Sequence, residues 1–130
     1  MFFEIDPNSQ VPLYMQLTQQ IKQTVVTGQA FIGQGLPSVR SLASDLGVNM
    51  HTVNKAYNLL VDEGVLSKNQ QGYSIYLNKV QLEAPMYQIE LKEQLRTLMI
   101  DGFVHGVDHV EFTQWINNIA QELKQTPKER

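Results

Sequence analysis

The stretch SVRSLASDLGVNMHTVNKAYNLLVDEG, residues 38–64, decides the fold. Ser38 is a good N-cap, because its hydroxyl can accept a bond from an unpaired N–H of the first helical turn. Behind it, Val39, Leu42, Ala43 and Leu46 recur at i, i+3, i+4 and i+7, the spacing of one helical face. Gly47 ends that helix. Asn49 caps the next, which runs from Met50 to about Glu63 with Val53, Ala56, Tyr57 and Leu60 inward and Gly64 as its stop. A turn as short as Gly47-Val48-Asn49-Met50 forces the two helices to cross steeply. Such a helix-turn-helix rests one helix across a DNA backbone and places the other in the major groove.

Working outward, a first helix is expected to begin at Pro12, since a proline's missing N–H has no partner in the first turn anyway. Leu13, Leu17, Ile21 and Val25 then repeat every four residues, and Gly28 is the expected stop. On the other side, strands over Val65–Lys68 and Tyr73–Leu77 are expected to flank a loop from Asn69 to Gly72. The predicted fold is mostly α with a small β-hairpin: a winged helix-turn-helix over residues 1–77, a linker over 78–85, and a helical region over 86–130.

The outward face of the third helix carries Asn49, Met50, His51, Thr52, Asn54, Lys55 and Asn58 once the inward residues are removed. Asn and His side chains both donate and accept hydrogen bonds. An Asn can bond bidentately to adenine, and a Thr methyl can meet a thymine methyl. Arg40 and Lys55 supply charge for phosphate.

These residues form a known pattern. Leu36-Pro37-Ser38-Val39-Arg40, Leu42-Ala43, Leu46-Gly47-Val48-Asn49, Thr52-Val53 and Lys55-Ala56-Tyr57 follow in order. The chain thereby resembles the GntR family of bacterial transcription regulators over about residues 3–77. Asp6-Pro7, Val11-Pro12-Leu13-Tyr14 and Gln16 are similar to the family's first helix, and Glu63-Gly64-Val65-Leu66 to its entry into the wing. The short helical remainder resembles the YtrA-type subfamily, in which two C-terminal helices dimerise. The resemblance implies DNA contacts at Arg40, Asn49, His51, Thr52, Asn54, Lys55 and the wing-tip Gly72. It departs from the family at the wing, where Lys68 is the one charged residue, and at Met50, where Pro or Arg is common. It implies a homodimeric repressor on a palindromic promoter operator of double-stranded DNA, with no cofactor. The residues name no operator, target gene or effector. The alternative is a winged helix used for protein–protein contact.

Past the linker, Met86 to Asp101 is expected to be helical, broken by Gly102 and Gly106. A last helix is expected from Asp108, whose pairing with Glu111 resembles a capping box, up to Pro127. Leu91, Leu95, Leu98, Phe112, Trp115, Ile116, Ile119 and Leu123 are more than one helical hairpin can bury, so a dimer interface is expected there.

Composition bounds the rest. The chain has 130 residues and a formal net charge of −3. Residues 1–79 are neutral overall: Lys22, Arg40, Lys55, Lys68 and Lys79 offset Glu4, Asp6, Asp45, Asp62 and Glu63. Global charge therefore does not argue for nucleic acid. The chain has no cysteine, which removes disulfides and thiolate chemistry and favours the cytoplasm. There is no run long and apolar enough for a membrane span and no basic, apolar leader, so no membrane association is expected. His105 and His109 are metal-ligand types, but the glycines beside them break the helical spacing a site would need, so no metal is expected. No nucleophile elbow or phosphate loop appears, and catalysis is not expected.

Overall fold

The computed structural model describes residues 2–125, the last of them in backbone only. Six helices and one hairpin follow in order. They are α1 (Leu13–Val26), α2 (Val39–Leu46), α3 (Met50–Glu63), β1 (Leu66–Asn69), β2 (Gly72–Ile75), α4 (Lys79–Leu82), α5 (Pro85–Val104) and α6 (His109–Gln125).

Capping side chains set the helix-turn-helix. The Ser38 hydroxyl accepts from the Ser41 N–H at 3.0 Å, and Asn49 Oδ1 accepts from the His51 N–H at 2.7 Å. Gly47 and Gly64 close α2 and α3 with φ of 71° and 91°, a conformation in which a Cβ would be strained. Leu17 and Ile21 of α1 pack with Leu42 and Ala43 of α2 and with Val53, Ala56, Tyr57 and Leu60 of α3. Val65, Leu66, Tyr73 and Ile75 close the core.

The hairpin is tighter than the residue pattern predicts. Asn69 pairs with Gly72, so the loop is Gln70-Gln71 alone, and β2 ends at Ile75 rather than Leu77. The shortening has a cause at each end. Asn69 Oδ1 accepts from the Gln71 N–H at 2.8 Å, which turns the chain early. Beyond Ile75, the Tyr76 and Leu77 N–H groups both bond the Val65 carbonyl, and Leu77 takes φ +58°, outside any strand. The outer edge of β2 is also covered. The Leu36 N–H bonds the Tyr73 carbonyl, the Ile75 N–H bonds the Gln34 carbonyl, and Gly35 bridges Ser74.

The stretch expected as a linker holds the one-turn helix α4, and it is docked rather than free. Gln81 Nε2 donates to the Asp62 carbonyl, the Asn78 N–H donates to the Gly64 carbonyl at 2.8 Å, and Leu82 packs on the core.

Gly102 does not break α5, contrary to the expectation. The helix continues to Val104, and the Phe112 ring of α6 sits against Gly102, with its Cζ 2.2 Å from where a Cβ would stand. Gly102 therefore lets two helices approach inside a helix. Gly106 makes the turn instead, at φ 89°. The Gly106 N–H bonds the Phe103 carbonyl and the Val107 N–H bonds the Gly102 carbonyl, the paired bonds of a Schellman stop. The Asp108–Glu111 capping box forms in both directions, at 2.9 and 3.1 Å. α6 then returns to pack on α1.

Candidate nucleic-acid interface

The outer surface of α3 is built by the inner one. Tyr57 is fully buried, and its hydroxyl donates to the Pro37 carbonyl at 2.8 Å, which ties α3 to the residue before the α2 cap. Burial, reinforced by Tyr73 alongside, pushes this hydroxyl well above the usual tyrosine range, so it stays a donor. The Tyr57 and Tyr73 rings meet edge-on with centroids 4.7 Å apart.

With the inner face fixed, His51, Asn54, Lys55 and Asn58 are exposed, and Thr52 is half-buried. Two tyrosines bound this surface. On one side Lys55 Nζ lies 4.0 Å from the ring centroid of Tyr14 of α1. On the other, the Tyr73 hydroxyl of β2 donates to Asn58 Oδ1 at 3.2 Å, and Lys68 Nζ lies 5.4 Å from the Tyr73 ring. Asn58 thus has its acceptor engaged and its amide N–H groups free to donate.

The other expected contact residues fall into two kinds. Arg40 is exposed, one residue into α2, where the Pro37–Tyr57 bond fixes the helix entry. Asn49 spends its carbonyl oxygen on the helix cap, which leaves its amide to face outward. Gly72 stands beside the hairpin turn at φ +125°, with nothing within 4 Å of a would-be Cβ, so conformation and not crowding requires glycine. Among the other basic residues of this half, Lys22 is paired with Glu63 at 2.8 Å. The roles of Tyr14 and Tyr73 toward α3 escaped the sequence, since the Tyr14–Lys55 and Tyr73–Asn58 contacts join residues distant in the chain, whereas Lys68 and Tyr73 are cross-strand partners of the hairpin. Asn58 was visible there by helical spacing.

The expected interface residues on α5 and α6 also separate. Leu91, Leu95, Leu98, Trp115, Ile116 and Ile119 stand 45–62% exposed. Phe112 is buried within the chain against Gly102, with its ring edge-on to Phe103 and Trp115, and Leu123 is half-buried. Met86, Ile89, Ile100, Phe103, Val104 and Val110 extend the exposed apolar surface. No helix among the described residues is long and apolar enough to cross a membrane.

Comparison with known proteins fits this geometry. Residues 13–75 match the model of "Bacterial regulatory proteins, gntR family". Over 125 residues the chain is 37% identical to the HTH-type transcriptional repressor YtrA of Bacillus subtilis, covering 93% of this chain and 94% of that one. The chain belongs to the GntR family. Within it, the likeness is to YtrA-type regulators. The structure of YtrA from Sulfolobus acidocaldarius superposes with a TM-score of 0.60 at 38% identity, over 74% of this chain and 99% of that one. A Listeria monocytogenes EGD-e protein described as a transcriptional antiterminator superposes with a TM-score of 0.88 at 31% identity. That match covers 95% of this chain and 92% of the other, so it includes the C-terminal helices. The chain is accordingly a GntR-family transcription regulator with a DNA-binding helix-turn-helix, and not an enzyme.

Proposed function

We propose that this regulator is a homodimeric repressor that recognises a palindromic promoter operator and blocks transcription by occupying it. The observation that carries the reading is the exposed face of α3, where the hydrogen-bonding side chains of His51, Asn54 and Asn58 lie between the lysines Lys55 and Lys68. Amide and imidazole groups can pair with base edges, while lysines on phosphate supply affinity that ignores sequence. Arg40, Asn49, Thr52 and Gly72 complete the contact set. Dimerisation is supported by the apolar surface of α5 and α6, because a two-fold partner covers such a surface with its own copy. Repression is supported by the name of the Bacillus subtilis relative. The working compartment is that of the promoter, the cytoplasm.

Two helices enclose little volume, so an inducer would bind between subunits or between α5–α6 and the DNA-binding half. The test of operator recognition is a binding titration with the gene's own promoter and a scrambled duplex, followed by footprinting. A symmetric footprint with preference for the promoter is expected. Equal affinity for both duplexes would overturn the reading.

A further inference from the structure

Lys55 is the one charged side chain among the lysines, arginines and carboxylates between Met50 and Val61. Its ammonium lies over the face of Tyr14, 4.0 Å from the ring centroid. Tyr14 is the second residue of α1 and packs against the core. Leu13, Tyr14, His51, Thr52 and Lys55 together line one hollow between α1 and α3. Helical spacing puts His51 and Asn58 near the middle of the exposed face. Lys55 leans from there toward Thr52 and α1.

We infer that Tyr14 is a positioning residue for DNA binding: its ring holds the Lys55 ammonium at the α1 edge of the reading face, aimed at a backbone phosphate and away from the bases. The inference rests on the operator-binding reading above. When a helix lies in a groove, the middle of its outer face meets base edges, and its flanks meet the sugar–phosphate strands. A lysine at the flank is a sequence-blind contact. The ring attracts the cation through its quadrupole without neutralising it, so the full charge remains for phosphate. It covers one side of an ammonium that has three donors, which leaves N–H groups directed outward. A lysine stem left free would lose rotamer freedom on meeting DNA. A stem already held against Tyr14 has less to lose.

The test is a double-mutant cycle in the full chain. Affinities are measured for the gene's own promoter and for a scrambled duplex, across roughly 50 to 200 mM salt. Lys55→Gln is expected to weaken both duplexes alike and to lower the salt slope by about one. Tyr14→Leu keeps the apolar packing and is expected to weaken both by about two- to tenfold. Tyr14→Phe keeps the ring and is expected to leave both unchanged. In the Lys55→Gln background, Tyr14→Leu is expected to have no further effect. The proton resonances of the carbon beside the Lys55 nitrogen are expected upfield in the wild type and in Tyr14→Phe, and unshifted in Tyr14→Leu. Additive losses in the cycle, or a Lys55→Gln loss confined to the promoter, would overturn the role of Tyr14 while leaving operator recognition standing. A wild-type chain that binds neither duplex would overturn operator recognition, and this inference with it.

Discussion

The hydroxyl of Tyr57 donates to the carbonyl of Pro37 across 2.8 Å and twenty residues of chain. One bond thereby sets how α3 sits against the entry to α2, where Ser38 caps the helix and Arg40 projects. Tyr57→Phe keeps the ring but strands that carbonyl beside the core. A loss of about 1–3 kcal/mol is expected, read as a lower denaturation midpoint.

The same hydroxyl makes stability depend on alkaline pH. Its folded pKa is raised by burial, so the folded chain keeps a proton that the unfolded chain releases near pH 10. The contribution is complete below the unfolded value and disappears as pH rises past it toward the folded value. The gap in stability between wild type and Tyr57→Phe should be constant from pH 7 to 9 and shrink above about pH 10. Denaturant titrations at pH 8 and pH 11 check this, and an equal gap at both would refute it.

Recognition should divide by residue type. Arg40→Ala is expected to weaken promoter and scrambled DNA alike. His51→Ala or Asn54→Ala is expected to cost about 1–3 kcal/mol on the promoter and little on scrambled DNA. Tyr73→Phe releases Asn58 Oδ1 while keeping the ring against Tyr57. It should alter preference at one base-pair position of the operator without changing the salt slope. Affinities for a set of single-substituted operators check all three.

The helix-turn-helix was readable because its signals are local. Ser38, Gly47, Asn49 and Gly64 act on their own turns, and the bounds of α2 and α3 follow from them. The wing was less readable, since Gln71 turning back on Asn69 looks like open loop in the sequence. Gly102 misled for a related reason. A glycine that stops a helix and one that admits a neighbouring ring are the same letter, and only Phe112, ten residues on, tells them apart. Candidate contacts were visible as types on one helical face. Their supports, Tyr14 and Tyr73, come from other elements and belong to packing.

The Gly102–Phe112 contact itself is testable. Gly102→Ala puts a methyl where the ring lies, so the hairpin must open or the ring must turn. A cost of about 1–3 kcal/mol is expected. Adding Phe112→Leu, which shortens the intruding group, should recover part of that loss in thermal melts. If Gly102→Ala melts like wild type, the helices are not held by this contact.

The C-terminal helices give the last prediction. Leu91, Leu95, Leu98, Trp115, Ile116 and Ile119 are roughly half exposed in the protomer, and burying one such side chain is worth about 1.5–3 kcal/mol. Phe112 already serves the protomer's own hairpin, so Phe112→Ala should act on folding, whereas Trp115→Ala and Leu98→Glu should act on association. On the proposed homodimer, the wild type should sediment as a dimer and both association variants as monomers at the same concentration, with melting of the helix-turn-helix half unchanged. Operator affinity should fall steeply while affinity for a single half-site stays constant, because only the dimer holds the second recognition helix at high effective concentration. A truncation that separates the halves must retain α4, since Gln81 and Leu82 pack on the end of α3 and on the core. Cutting after Ala84 should give a stable monomer, and cutting after Asn78 a less stable one. A wild-type chain that is monomeric at tens of micromolar and still grips a two-half-site operator would show that the exposed apolar surface has another purpose.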